Sequence, residues 1–241
     1  MNYRLILPLA SLLVLASCGN GSQQAEQQQA ERQAKARQRN VVKRLLPIPQ
    51  EFSYLTNLGS VDITYTQGSA YSIEVEGDST LLEHLQANFD SNLLTVSIST
   101  DSNQDINLYG NTNDVQMRIT APDLKVVSIC GNGGFASAGT WQTDELQVGV
   151  LGTGEMKLDK VECRTFSLHS TERGGITISY LRADEAVIYS RSSADIDISV
   201  EVRDLTVLND GTQHLRLRGK AEQVNIAKPD DPNLTMELQR E

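Results

Sequence analysis

A repeat of about twenty residues runs from Asp123 to the end of the chain and limits the folds that the chain can adopt. Each unit opens with a short strand-like run, and these runs begin 22, 20, 20, 19 and 19 residues apart. A second run follows in every unit, at spacings of 21, 20, 20, 19 and 19 residues. The leading apolar residues of the two columns are Leu124, Leu146, Phe166, Ala186, Leu205 and Val224, and Phe135, Met156, Ile176, Ile196, Leu215 and Leu234. Two columns that advance in step indicate a repeated structural unit.

Apolar and polar residues alternate within each run, which is the period of a strand with one buried face. A period near twenty that carries two or three short strands is typical of stacked coils, whose inward columns together form one core. We therefore predict an all-β fold, a right-handed parallel β-solenoid with coils of about 20 residues. A sandwich of antiparallel hairpins is the alternative, but it gives no reason for matching columns.

Glycine-rich segments separate the strands and are candidates for the corners of the coils. They include Gly131–Gly134, Gly152–Gly154 and Gly174–Gly175. Because Gly and Asn tolerate the positive φ of tight turns, we expect the corners to adopt that conformation.

The chain before the regular coils is also rich in strands but less regular. We predict a single β-solenoid domain over residues 48–241, with an irregular part at 48–120 and regular coils at 121–241. The irregular part would cap the open end of the solenoid or add irregular coils to it. Within it, Ser79 is a candidate N-cap for a short helix that runs to Leu85.

The start of the chain has the pattern of a lipoprotein signal peptide. Arg4 is followed by an apolar stretch from Leu5 to Ala16, which is too short to span a bilayer as a helix. Leu15-Ala16-Ser17-Cys18 then fits a lipobox, in which cleavage precedes a cysteine that receives lipid. We predict a signal peptide at 1–17 and lipidation at Cys18. No Asp follows Gly19, so outer-membrane placement is preferred, and the leaflet is left open.

Charge is distributed unevenly along the rest of the chain. Between Gly19 and Pro47, six basic and two acidic residues give a net charge of +4. From Ile48 onward, 14 basic and 29 acidic residues give −15. A basic, Gln/Ala-rich tether over 18–47 suits an anionic membrane surface. The acidic domain argues against nucleic acid as a partner, because phosphate contacts need a basic face.

From Phe52 to Ala227 the chain resembles the family "putative auto-transporter adhesin, head GIN domain". In that family, a strand pair and a short helix precede coils that carry G-[ST]-G followed by alternating apolar residues. The matching segments here are Gly152-Thr153-Gly154-Glu155-Met156-Lys157-Leu158 and, one coil earlier, Gly131-Asn132-Gly133. Later coils depart, since Ser192-Ser193-Ala194-Asp195 lacks the glycine pair, and a literal Gly-Ile-Asn is absent from the chain. The resemblance implies a solenoid fold and an adhesin-like role, and it implies no catalytic residues.

No pattern in the sequence predicts a catalytic centre, a metal site or a cofactor. A calcium site built from Asp195 and Asp197, with Asp184, Glu185 and Asp204, is a weaker alternative. Cys130 and Cys163 fall at different points of their repeats, which favours two free thiols over a disulfide.

Outward positions of stacked coils form ladders, which are the best candidates for ligand contact. Two such ladders are predicted: Lys157, Thr177, Asp197 and Arg216 on one face, and His169 with Tyr189 on another. They could also be ordinary solvated faces.

The leading functional hypothesis is a non-catalytic binding or structural module in the cell envelope. Its partner would be a surface glycan or an envelope protein. The alternative is a polysaccharide-active enzyme, a lyase or a hydrolase, which would need a groove with clustered Asp, Arg or Lys. A purely structural envelope component is a third reading that the sequence does not separate from the first.

Overall fold

A computed structural model describes residues 40–98 and 115–239 of the chain. The predicted signal peptide, Cys18 and most of the predicted tether lie outside the described residues. The elements are β1 (Val41–Leu45), β2 (Tyr54–Asn57), β3 (Val61–Gln67), β4 (Ser72–Asp78), α1 (Ser79–Glu83), β5 (Leu85–Asp90), β6 (Leu93–Ile98), β7 (Val115–Ala121), β8 (Val126–Ile129), β9 (Phe135–Ala138), β10 (Thr140–Gln142), β11 (Glu145–Val150), β12 (Met156–Ser170), β13 (Ile176–Ser190), β14 (Ile196–Asn209), β15 (Leu215–Ile226) and β16 (Leu234–Gln239). In the described part, no helix has the length and apolarity to cross a bilayer.

The regular coils form the predicted parallel β-solenoid. Strands β12 to β15 pair in parallel with their successors, and Met156 lies opposite Ile176, which lies opposite Ile196. Each of these long strands bends around the corners of the coil, so that β12 pairs with β9 and β10 through its first part and with β11 through its last. The matched columns seen in the sequence are therefore hydrogen-bonded neighbours. The right-handed sense stays a prediction.

The core lies inside the coils and is built by the alternation of each strand. In β13, Ile176, Ile178, Ala186 and Ile188 are buried, whereas the intervening Thr177 is exposed. Because a strand turns successive side chains to opposite sides, every coil adds its apolar residues to the same inner ladder. Burial of each large apolar side chain contributes about 1.5–3 kcal/mol.

A buried aromatic group supports the early coils. The Trp141 ring centroid lies 4.7 Å from that of Tyr65 and 6.1 Å from that of Phe135. The Trp141 indole N–H donates to the Leu124 carbonyl at 3.2 Å, so its polar atom is satisfied in the core.

The irregular first part contains two further coils and an antiparallel cap. β2 lies between β6 and β8, and β3 lies between β7 and β9, all in parallel. The first coil of the chain is thus sandwiched between the second coil and the regular ones. Beyond them, β4 and β5 pair antiparallel with β7 and β6, which closes that end of the solenoid. This part of the chain therefore supplies both a cap and further coils. The two further coils pair in register, so they are regular rather than irregular.

Two predicted boundaries were wrong. Residues 41–45, which the sequence analysis placed in the tether, form β1 and pair antiparallel with β4. The apolar residues of this stretch explain the difference, since the Val42 side chain is partly buried against the core. The helix α1 is capped by Asp78 rather than by Ser79, because the Asp78 carboxylate accepts from the Thr80 N–H at 2.9 Å. It also ends at Glu83, and Leu85 already belongs to β5.

The expected conformation of the corner glycines was also wrong. Among the described glycines, only Gly139 and Gly219 have a positive φ. The corner glycines are needed because neighbouring coils come too close for a side chain. A Cβ on Gly152 would lie 2.1 Å from the carbonyl oxygen of Gly131, and one on Gly154 would lie 2.1 Å from that of Gly133.

Candidate functional site

The solenoid presents three outward faces, each continuous across the stacked coils. Face 1 comprises the outward side chains of β2, β6 and β8 and of residues 146–150, 166–170, 186–190, 205–209 and 224–226. Face 2 comprises those of β3, β7 and β9 and of residues 156–159, 176–179, 196–199, 215–218 and 234–237. Face 3 comprises β10 and residues 160–164, 180–184, 200–203 and 219–222, including the corner that leads to face 1. Registers between strands define these stacks.

Face 1 is free of charged side chains, although the domain is strongly acidic. Two outward rows run along it in register. They are Leu93, Tyr54, Val126, Gln147, Ser167, Val187, Thr206 and Asn225, and Thr95, Thr56, Ser128, Gly149, His169, Tyr189 and Leu208. Neither row contains an Asp, Glu, Lys or Arg. Interfaces are depleted of charge at their centres, which makes this face the strongest contact surface among the described residues.

Several apolar side chains of face 1 are open to solvent. Tyr54 is 41% exposed and Val187 is 40% exposed. The adjoining corner adds Leu58 and Leu151, exposed by 52% and 41%. Exposed apolar residues that cluster on one side mark interaction surfaces more often than scattered ones do.

The predicted pair His169 and Tyr189 is confirmed as neighbouring residues on face 1. Their Cα atoms are in register and their ring centroids lie 4.7 Å apart at an interplanar angle of 42°. The Arg191 guanidinium, from the adjoining corner, lies 5.9 Å from the Tyr189 ring centroid. The two rings therefore form a small aromatic group near the middle of the face.

The predicted ladder of Lys157, Thr177, Asp197 and Arg216 is confirmed in its register on face 2. Its charges are partly neutralised by neighbours on the same face. Lys157 lies 2.5 Å from Glu155, and Asp197 accepts from the Arg218 guanidinium at 2.7 Å. Exposed ion pairs of this kind contribute little stability.

The five acidic residues of the calcium alternative do not come together. Asp195 and Asp197 lie on or beside face 2, where the Asp195 carboxylate accepts from the His214 N–H at 3.2 Å. Glu185 and Asp204 lie opposite each other at the corner between faces 3 and 1, where Arg203 approaches them at 3.8 and 2.8 Å. Across the described residues, no three His, Cys, Asp or Glu side chains are placed to hold a metal ion.

A groove of about 410 Å³ on face 3 was missed by the sequence analysis. Its floor is formed by Cys163, Ala183, Val202 and Ala221, and charged side chains flank that floor on both sides. The flanking pairs change sign from coil to coil: Glu162 and Arg164, Arg182 and Asp184, Glu201 and Arg203, Lys220 and Glu222. The signal was present in the sequence as four three-residue segments at the repeat spacing, and it becomes visible only after the coils are aligned.

Alternation of sign avoids repulsion between neighbouring coils. Neighbouring coils lie about 4.8 Å apart, so like charges in one row would repel. Arg182 instead lies 3.9 Å from Glu201. Hydrogen bonds from Lys160 and Gln142 hold the pKa of the Glu162 carboxyl below its usual range. A hydrogen bond to Glu201 raises the pKa of the Tyr180 hydroxyl. The charged side chains along the groove therefore form a charge ladder of alternating sign.

The two thiols of the domain are free, as predicted, and differ in environment. Cys130 is exposed at a corner, whereas Cys163 is half-buried on the floor of the groove. Burial, followed by the negative charges of Asp144 and Asp184, raises the pKa of the Cys163 thiol to about 12. Burial also raises the pKa of Cys130, where no nearby carboxylate adds to the effect.

This difference predicts selective alkylation. Thiolate is the reacting form, and a pKa of about 12 leaves roughly one Cys163 in ten thousand ionised at pH 8. Iodoacetamide at that pH should modify Cys130 of the folded protein and leave Cys163 unmodified, as read from peptide masses. Both should react in denaturant. Equal alkylation rates of Cys130 and Cys163 in the folded protein, or a disulfide that joins their peptides, would contradict the described environments.

Comparisons with known proteins agree with this fold. A family model described as "Putative auto-transporter adhesin, head GIN domain" matches residues 51–180, more than half of the chain. A crystal structure of a "putative adhesin" from Bacteroides fragilis aligns with a TM-score of 0.61 at 17% identity, over 83% of this chain and 97% of its own. A "putative lipid binding protein" from Parabacteroides distasonis aligns with a TM-score of 0.51 at 15% identity, over 84% and 95%. At these identities the likeness shows the fold alone. No curated protein matches the chain.

Proposed function

The chain belongs to the "putative auto-transporter adhesin, head GIN domain" family, and on that premise we propose that it is a non-catalytic binding module of the cell envelope. Face 1 is the contact surface in this proposal. Its partner is a surface glycan or an envelope protein. A lipid on Cys18 holds the module to the membrane, and we propose the outer membrane as its location.

The observation that carries the binding role is the uncharged character of face 1. The sequence from Ile48 onward contains 43 charged residues, the sum of 14 basic and 29 acidic ones. None of those in the described part of the chain stands in the two outward rows of face 1. Solubility alone would favour charge on every exposed face. A face kept uncharged and partly apolar over many coils is the expected surface of a partner contact.

The lipobox at Leu15–Cys18, preceded by an apolar segment of signal-peptide length, supports the anchor. The basic segment that follows would add attraction to anionic headgroups. The relative from Parabacteroides distasonis is described as a "putative lipid binding protein". For this chain we propose lipid contact through the covalent anchor.

Replacing Cys18 with serine is expected to abolish lipidation. In cells fed radioactive palmitate, the unaltered chain should carry label and the Cys18→Ser chain should carry none. Cys130→Ser is the matched control, because it removes an exposed cysteine that lies outside the lipobox and should keep the label. Label on the Cys18→Ser chain, or its absence from the unaltered chain, would overturn the anchor.

The binding role is tested with beads that carry the full mature chain with the Cys18→Ser change. Such beads should adhere to envelope fragments of the producing cells and should generate no new reducing ends in a panel of polysaccharides.

The enzyme alternative would place chemistry in the groove of face 3. Proton transfer there needs a group whose pKa is matched to the working pH, whereas ion pairing lowers that of Glu162. Turnover without adherence would favour the enzyme.

A further inference from the structure

The dimensions of face 1 restrict what it can hold. Its longer row crosses eight stacked strands, from Leu93 to Asn225. At about 4.8 Å per strand and about 3.3 Å per residue, the strip is about 34 Å long and about 10 Å wide. This footprint of about 340 Å² falls well short of the ~800 Å² that each partner of a stable protein complex buries. A long, narrow strip fits a linear polymer better than a globular protein.

Most polar side chains of face 1 make no hydrogen bond to another described residue. No hydrogen bond within the described residues uses the side chain of Thr56, Ser128, Gln147, Ser167 or Thr206, whereas the Tyr180 hydroxyl of face 3 donates to Glu201 at 2.7 Å. The Tyr54 and Tyr189 hydroxyls are likewise unpaired within the described part of the chain. Face 1 thus offers hydroxyl and amide groups that can both donate and accept.

Apolar and aromatic side chains lie among these polar groups. Val126 and Val187 lie in the same row as Gln147 and Ser167. A glycan has the matching chemistry, because its ring C–H faces pack on apolar and aromatic surfaces while its hydroxyl groups hydrogen-bond between them. A charged glycan would find no opposite charge here, since neither row carries one.

We propose that face 1 binds an uncharged glycan strand that lies along the solenoid axis. The inference rests on the proposed function, because it names the partner of the same face. The axial direction follows from the rows, in which Tyr54 and His169 are three strands apart, or about 14 Å along the axis, and Tyr189 lies one strand further. Several sugar units must bridge that distance, so affinity rises with the length of the oligosaccharide.

Affinity electrophoresis of the mature Cys18→Ser chain tests this inference. The probes are laminarin, galactomannan and dextran, which are uncharged, and polygalacturonate, a polyanion. At least one uncharged polysaccharide should retard the chain, equally at about 50 and about 500 mM NaCl, because no charge pair is formed. Tyr189→Ala should raise the dissociation constant at least about tenfold. Tyr180→Ala is the matched control, as a tyrosine of the same strand on face 3, and should bind as before.

Retardation by polygalacturonate alone, or by none of the probes, would overturn the inference. It would also fall if Tyr189→Ala abolished a dimer seen by analytical ultracentrifugation or abolished co-sedimentation with phosphatidylcholine vesicles, because face 1 would then hold a second copy or a bilayer. If the beads still adhere to envelope fragments while no polysaccharide retards the chain, the binding role is kept and only the glycan as its partner is rejected. If the beads do not adhere either, both the binding role and the glycan partner are rejected.

Discussion

Replacing Gly152 with alanine is expected to lower the free energy of unfolding by about 3 kcal/mol. The new Cβ would lie 2.1 Å from the Gly131 carbonyl oxygen of the neighbouring coil and 2.7 Å from Cys130 backbone atoms. Every one of these atoms is backbone, so no side chain can rotate away. The coils must separate, and that strains the hydrogen bonds that the Thr153 and Gly154 N–H groups donate to Gly131 at 3.0 and 3.2 Å.

Gly149→Ala is the matched control, three residues earlier in the same coil. A Cβ there would point out of face 1 and make only ordinary van der Waals contacts, at 3.4 Å from the Ser128 side chain and 4.0 Å from the His169 carbonyl oxygen. Its effect on stability should stay within about 0.5 kcal/mol, because surface substitutions without a clash are close to neutral. Urea unfolding followed by circular dichroism measures both. Equal stabilities of the two variants would show that the coils are not packed as described.

The corner glycines could be predicted from the sequence only in part. The glycines were identified correctly as corner residues, but the reason given for them was wrong, because a sequence carries no direct record of the distance between coils. Later corners use another solution. Ser192 is buried there, and its hydroxyl group lies 3.1 Å from the Glu172 carbonyl oxygen.

The repeat predicted most of the regular solenoid. The alternation of apolar and polar residues predicted which side chains face inward, and the repeat spacing predicted which residues stack. The registers of Lys157 with Thr177 and of His169 with Tyr189 could therefore be predicted. The order of the first coils could not be predicted. β2 is four residues long, and its pairing with β6 and β8 joins segments that are far apart in sequence and carry no local signal.

The candidate surface was predicted only in part. The aromatic pair on face 1 was predicted from the sequence. The absence of charge along the face was not, because it appears only when outward residues of the described coils are compared in register. The charge ladder of face 3 was missed for the same reason. Glu162 and Arg182 are twenty residues apart in sequence, yet they are neighbours across β12 and β13.

Replacing Val187 with glutamate is expected to weaken binding through face 1 at least about a hundredfold. The substitution places a carboxylate in the middle of the uncharged rows of face 1. A bound ligand would desolvate this carboxylate and offer no counter-charge. The fold should be unaffected, because Val187 is 40% exposed and lies between Ser167 and Thr206 rather than in the core. Thermal unfolding of the variant provides that check.

Adherence of beads to envelope fragments shows whether face 1 is the contact surface of the module. Three mature Cys18→Ser chains are compared: one with no further change, one with Val187→Glu, and one with Thr64→Glu. Thr64 is exposed on face 2 opposite Arg118, so the control adds the same charge where charge is already present. We expect beads with Val187→Glu to lose adherence and beads with Thr64→Glu to keep it. Equal adherence of the two variants, or loss only with Thr64→Glu, would rule out face 1 as the contact surface.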